Sequence, residues 1–149
     1  QTTCAVVNDR VKCWGLGDYG AMGNGTPVTR VNPSPVSVDD THMGLVASVS
    51  VGTASVCAVS AVGGAWCWGP NSSGQLGNGT SSDGFVPVPV TGMGSNVRGV
   101  SAGGYFACAW TSGVPAFQFD AKCWGSGFYG KLGNGNAASS NVPVKVLET

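Results

Sequence analysis

Cys67-Trp68-Gly69-Pro70-Asn71-Ser72-Ser73-Gly74-Gln75-Leu76-Gly77-Asn78-Gly79-Thr80 is the stretch that decides the fold, because the chain writes it three times. Cys13 through Thr26 and Cys123 through Asn136 repeat it, and all three copies read C-W-G-x-x-x-x-G-x-[LM]-G-N-G. The cysteine anchors are 54 (67 − 13) and 56 (123 − 67) residues apart. Self-similarity at such a period marks a repeat architecture, in which each unit buries its apolar face on the next.

Outward from each block the surroundings repeat as well. A Cys-Ala pair precedes it: Cys4-Ala5, Cys57-Ala58 and Cys108-Ala109. An alternating segment follows it: Pro35-Val36-Ser37-Val38, Pro87-Val88-Pro89-Val90 and Pro143-Val144-Lys145-Val146. Ahead of the second and third pairs lie Val49-Ser50-Val51-Gly52 and Val100-Ser101-Ala102-Gly103. Each unit therefore reads as an inner strand, a hairpin, a glycine-rich loop and an outer strand. Four short strands in each unit of about 55 residues fit a propeller blade. No window keeps the i, i+3, i+4, i+7 apolar pattern of a helix.

The fold class expected is all-β, with propeller-type blades in units of about 1–38, 46–90 and 98–146, which take up the whole of residues 1–149. The first unit is incomplete, since the chain starts at Gln1 directly at its hairpin. A strand from outside these residues is expected to pair there, from a longer polypeptide or a neighbouring copy. No initiator Met or signal peptide is visible, as in a mature or internal piece.

The six cysteines fall as pairs 4/13, 57/67 and 108/123. These are not the tight C-x-x-C knuckles of a metal site. A hairpin explains them better. With Asn8-Asp9 as a two-residue turn, Cys4 faces Cys13. With Ala61-Val62-Gly63 as a three-residue loop, Cys57 faces Cys67. The third pair closes a longer loop that contains Pro115. Directly opposed strand residues lie within disulfide range. Three disulfides place the chain in an oxidising compartment, secreted or on the cell surface; the competing reading is buried free thiols.

Composition narrows the function. Charged residues make up 9% of the 149, against about 25% in a typical domain. Seven basic residues balance seven acidic ones. Nucleic-acid binding requires clustered Lys and Arg, and none occurs. No apolar run approaches the roughly 20 residues of a membrane-spanning helix. Low net charge favours association.

The G-N-G turns read as tight turns needing positive φ, not as phosphate loops, because no helix follows them. Trp14, Trp68 and Trp124 hold one repeat position and are expected to pack between blades with each indole N–H bonded to backbone. Trp66 and Trp110 do not recur and are better candidates for surface contact than the three recurring tryptophans. The sequons at Asn24, Asn71 and Asn78 are candidate glycosylation sites. His42, beside Asp39-Asp40, is the one acid/base-looking cluster, and no nucleophile or oxyanion hole converges on it. One aspartate pair without a ligand loop is poor material for a calcium site. No catalytic residue, metal or cofactor is expected.

The C-W-G signature and the [LM]-G-N-G turn, in three copies, with L-G-N-G-T in the second, closely resemble the repeat of the regulator-of-chromosome-condensation family, particularly its secreted, cysteine-bearing relatives. The resemblance implies a propeller, usually of seven blades, which three repeats cannot close. It permits a secreted binding protein, since the family includes a secreted inhibitor of β-lactamases. Its nucleotide-exchange activity on a small GTPase is intracellular and fits poorly with paired cysteines. The function expected first is a non-enzymatic extracellular structural or adhesive module that assembles with itself or with protein partners, in a fibre or surface appendage. The alternative is an enzyme inhibitor or carbohydrate-binding lectin that uses a loop face. The candidate binding residues are Tyr19, Tyr105, Phe106, Phe128 and Tyr129.

Overall fold

A computed structural model describes residues 2–26, 31–53, 55–113 and 119–148. Among these residues eleven strands form three antiparallel sheets. The first holds β1 (Thr2–Val7), β2 (Arg10–Leu16) and β3 (Val31–Ser37) in the order β1-β2-β3. The second holds β4 (Val46–Val51), β5 (Val56–Ser60), β6 (Ala65–Gly69) and β7 (Gly84–Pro89), ordered as in the chain. The third holds β8 (Val97–Ala102), β9 (Phe106–Ser112), β10 (Phe119–Gly125) and β11 (Ser140–Lys145), again as consecutive neighbours. β1 is thus an edge strand, whereas its counterparts β5 and β9 are flanked by β4 and β8.

Local chemistry fixes each register. Asn8 and Asp9 both take positive φ (51° and 59°), as a two-residue hairpin turn requires. Cys4 then pairs with Cys13 and Val7 with Arg10. In the second sheet Gly63 supplies φ +83°, the Ser60 N–H donates to the Gly64 carbonyl, and Cys57 pairs with Cys67. Cys108 pairs with Cys123; the Pro115 loop between them lies outside the described residues. The structure holds the disulfides Cys4–Cys13, Cys57–Cys67 and Cys108–Cys123, with Cα atoms 4.0–4.1 Å apart.

The outer strands start three or four residues before the Pro-Val alternation. The cause is a bulge. Cys67 pairs with Val88 and Gly69 with Gly84, so the outer strand spends four residues (88 − 84) on two (69 − 67) of β6. The other two sheets slip at the same place. Pro35, Pro87 and Pro143 all fall inside this bulge, where the missing N–H breaks no ladder bond.

Two cores form, one between each consecutive pair of sheets. Val11, Met22, Val46, Val56 and Trp68 contribute to the first; Val59, Leu76, Val97, Ala107 and Trp124 to the second. β5 is buried along its whole length because sheets cover both faces of it.

Trp68 and Trp124 are fully buried. The Trp68 indole N–H donates to the Ala21 carbonyl at 3.1 Å, and that of Trp124 to the Gln75 carbonyl at 2.9 Å. Each ring reaches back to the loop of the preceding sheet and lies against the first glycine of its G-N-G turn. A Cβ on Gly23 would stand 2.7 Å from Trp68 Nε1, and one on Gly77 2.7 Å from Trp124 Cδ1. Trp14 departs from the expected equivalence. It is half-buried, because no preceding loop is present among the described residues to receive it.

Candidate binding face

The order of strands sorts the loops by end. Connections β4–β5, β6–β7, β8–β9, β10–β11 and β2–β3 emerge at one end of the sheets. The hairpin turns and the inter-unit links at 38–45 and 90–96 emerge at the other. Tyr19, Tyr105, Phe128 and Tyr129 all belong to the first end and are 62%, 51%, 68% and 99% exposed. Tyr19 and Tyr129 occupy the same loop position and both take left-handed backbone, φ 50° and 63°. That conformation is uncommon for a bulky residue, and it is found at sites that hold strain for a purpose.

Tyr19 and Tyr105 come together as walls of one cleft of about 480 Å³, between the loops of the first and second sheets with the β8–β9 loop of the third. Pockets for ligands span about 300–1,000 Å³. Asp18, Asp83, Thr53 and Ser55 also line it. The Asn71 N–H donates to Asp83 Oδ1 at 2.8 Å, which fixes that carboxylate. Ser55 is 2% exposed, and its hydroxyl has no hydrogen-bond partner among the described residues. Thr2, its counterpart in the first sheet, donates its hydroxyl to the Leu16 carbonyl. In the third sheet the same position is Phe106, which is half-buried against Gly103 with the Lys131 ammonium 5.6 Å from its ring centroid. The cleft exists where a small residue stands in place of that phenyl ring. The sequence carries this signal as Thr2, Ser55 and Phe106 at one repeat position, and the exposed aromatics do not carry it.

Phe128 and Tyr129 do not line this cleft. Trp110 is 43% exposed and lies flat on Gly99, while Trp66 is half-buried. His42 is exposed on the 41–43 turn, at the opposite end from the cleft. Asp39 there accepts from the Thr41 hydroxyl and N–H, which holds its carboxyl below the usual range.

Asn71 corrects the glycosylation expectation. It is fully buried. Its Nδ2 donates to the Ser82 carbonyl (2.9 Å) and the Thr80 carbonyl (3.1 Å), and its Oδ1 accepts from the Leu76 N–H (2.9 Å). A glycan on Nδ2 would remove these bonds and open the loop. Asn78 Oδ1 accepts from both the N–H and the hydroxyl of Thr80, and Asn24 Oδ1 does the same with Thr26. The sequon threonines are turn-closing residues.

The comparisons with known proteins agree on the repeat. The model of the regulator of chromosome condensation (RCC1) repeat matches residues 8–59 and 63–110. The ultraviolet-B receptor UVR8 of Arabidopsis thaliana is 32% identical over 140 residues, covering 93% of this chain and 30% of the receptor. The human E3 ubiquitin-protein ligase HERC2 is 33% identical over 141 residues, again 93% of this chain but 3% of the ligase. The chain therefore spans less than a third of the length of either relative. Among solved structures, yeast RCC1 (Prp20) bound to Kap60 superposes with a TM-score of 0.84 at 17% identity, over 99% of this chain and 35% of that one. Human WBSCR16 superposes with a TM-score of 0.63 at 21% identity, over 99% and 51%. At these identities the superpositions speak for the β-propeller fold alone. The chain belongs to the regulator of chromosome condensation (RCC1) repeat family.

Proposed function

We propose that this chain is a non-catalytic protein-recognition module that works outside the cell and meets its partner through the loop face. The observation that carries this reading is the set of four exposed aromatics at one end of the sheets, two of them walling a cleft. Propeller loops present variable side chains on a rigid scaffold, which suits recognition. Exposed tyrosines supply large contact area at small entropic cost, and they are enriched where partners bind. The extracellular part rests on the three hairpin disulfides and on the absence of a free cysteine among the described residues.

A panel of secreted and cell-surface proteins tests it. Specific binders of the wild-type chain should be lost by a Tyr19→Ala, Tyr105→Ala, Tyr129→Ala variant and kept by a Leu45→Ser, Val62→Ser variant, which alters exposed residues at the other end. Binders that survive the first variant and fail with the second would reverse the assignment.

Self-assembly is favoured by a separate observation. Trp14 is half-buried, and Gly133, which holds the place of Gly23 and Gly77, meets Val146 rather than an indole. A further repeat, in the same polypeptide or in a second copy, fits that seat. Light scattering across a concentration series, with Trp14→Ala as control, separates an assembling chain from a monomeric one.

A further inference from the structure

We propose that the cleft walled by Tyr19 and Tyr105 receives a cationic side chain, an arginine or lysine presented by a protein partner. The proposal rests on the loop face being the recognition surface and names what its cleft takes. Two carboxylates, Asp18 and Asp83, line the cleft, and among the described residues no Lys, Arg or His does. The ion pairs among the described residues use Asp40, Asp120 and Glu148, and none of the described residues gives Asp18 or Asp83 a counter-charge. The Ser55 hydroxyl is buried, unpartnered and part of the same lining. A buried polar group without a partner is costly, and a ligand donor would satisfy it.

A guanidinium suits this set. It is planar, carries five N–H donors in a fixed fork, stacks on aromatic faces and never loses its charge. Two carboxylates and a hydroxyl accept from the fork, while the tyrosine faces attract the charge. The chain already makes this pairing internally, with the Lys131 ammonium over Phe106 at 5.6 Å. A neutral sugar would stack on tyrosine and reach Ser55, but it would leave both carboxylates uncompensated. A metal ion is not favoured, since no group of three His, Cys, Asp or Glu side chains converges among the described residues.

The test is an NMR titration of the whole chain with N-acetyl-arginine methylamide, its neutral citrulline analogue and a methyl glycoside. The arginine probe should shift Tyr19, Ser55 and Tyr105 saturably, with weaker binding as salt rises. Citrulline should bind about tenfold more weakly. Asp18→Asn should weaken the arginine probe about threefold and leave citrulline unchanged; the Asp18 side chain is half-buried and makes no hydrogen bond among the described residues, so the near-isosteric amide strands no partner. Ser55→Ala should weaken the arginine probe by a similar factor. Citrulline binding as well as arginine, the glycoside binding in its place, or no saturable shift at the cleft would each overturn the cation assignment. None of these touches the loop-face reading, which fails separately if binders from the protein panel survive loss of the tyrosines.

Discussion

Gly77→Ala isolates the contact that joins one repeat to the next, because Gly133→Ala provides its own control. The two glycines hold the same turn position with nearly the same backbone, φ +66° and +64°. An alanine in that region costs about 1–2 kcal/mol at either site. The sites differ in what the added methyl meets. At Gly77 it would stand 2.7 Å from Trp124 Cδ1 and 2.8 Å from Nε1. That ring cannot retreat, since it is fully buried and bonded to the Gln75 carbonyl. Overpacking of this kind costs about 1–3 kcal/mol more. At Gly133 the nearest atom is Val146 Cγ1 at 3.1 Å, on a half-buried side chain near the end of the described residues. The expected losses are therefore about 2–5 kcal/mol for Gly77→Ala and about 1–2 for Gly133→Ala. Urea unfolding of the oxidised chain followed by tryptophan fluorescence measures both. Trp124→Leu should remove the obstacle, so the double variant Gly77→Ala, Trp124→Leu should lose less than the sum of its parts, by about 1–2 kcal/mol. Equal losses at the two glycines, or additivity in the cycle, would mean that Gly77 is there for its backbone alone.

Trp68→Ala should cost about 3–5 kcal/mol, near the top of that range because it also orphans the Ala21 carbonyl, whereas half-buried Trp14→Ala should cost about 1–2; equal losses in calorimetry would contradict the seating of each ring by the preceding loop. Chain secreted from a glycosylating host should carry no sugar at Asn71 by peptide mass spectrometry, and Asn71→Ala should lose about 2–3 kcal/mol of stability through the donors and acceptors it strands. The Lys145 ammonium donates to Glu148 and Asp120, which raises its pKa above the usual lysine range. Its contribution is complete below the unfolded value of about 10.4 and is lost as pH rises through the folded one, so any advantage of wild type over Lys145→Met at the β11 edge should vanish on the alkaline side in limited proteolysis. Tyr129→Gly should raise the melting temperature by a few degrees by relieving left-handed strain of about 1 kcal/mol, while weakening any loop-face partner.

Much of the fold was legible because the repeat states its own registers. The facing positions 4/13, 57/67 and 108/123 follow from turn chemistry, and the strand pairs observed are those ones. What stayed hidden depends on a neighbour. Trp14 has the same local sequence as Trp68, yet its burial is decided by a loop of another unit. Asn71 forms a formally sound sequon, but whether its amide faces water depends on Ser82 and Asp83, a dozen residues on. The proline-bearing bulge moved the outer-strand boundaries because alternation marks a strand's face and not its first ladder bond. The cleft was invisible for a similar reason: Ser55 is a hollow only by comparison with Phe106 one unit later.

The division of labour inside each glycine-rich loop bears on what the loops are for. Its second half, [LM]-G-N-G, plugs the core with Met22, Leu76 or Leu132 and, at Gly23 and Gly77, seats the next tryptophan. This half is nearly identical in all three units, as an interface repeated along a stack requires. The first half reads Gly17-Asp18-Tyr19, Asn71-Ser72-Ser73 and Gly127-Phe128-Tyr129, and differs each time. In the second unit Asn71 ties the loop together, but stability does not ask for the tyrosines of the other two. A left-handed tyrosine exposed at 99% is strained by about 1 kcal/mol and buries almost nothing in return. The disulfides do not reach these segments, since all three cross hairpins on the sheets. In a chain with 9% charged residues, packing and hairpin staples hold the scaffold, and the tyrosine-bearing tips are relieved of that duty. Aromatic rings kept in water at an energetic cost, on the same face as a cleft with two carboxylates that no described residue compensates, make sense when something outside the chain covers them.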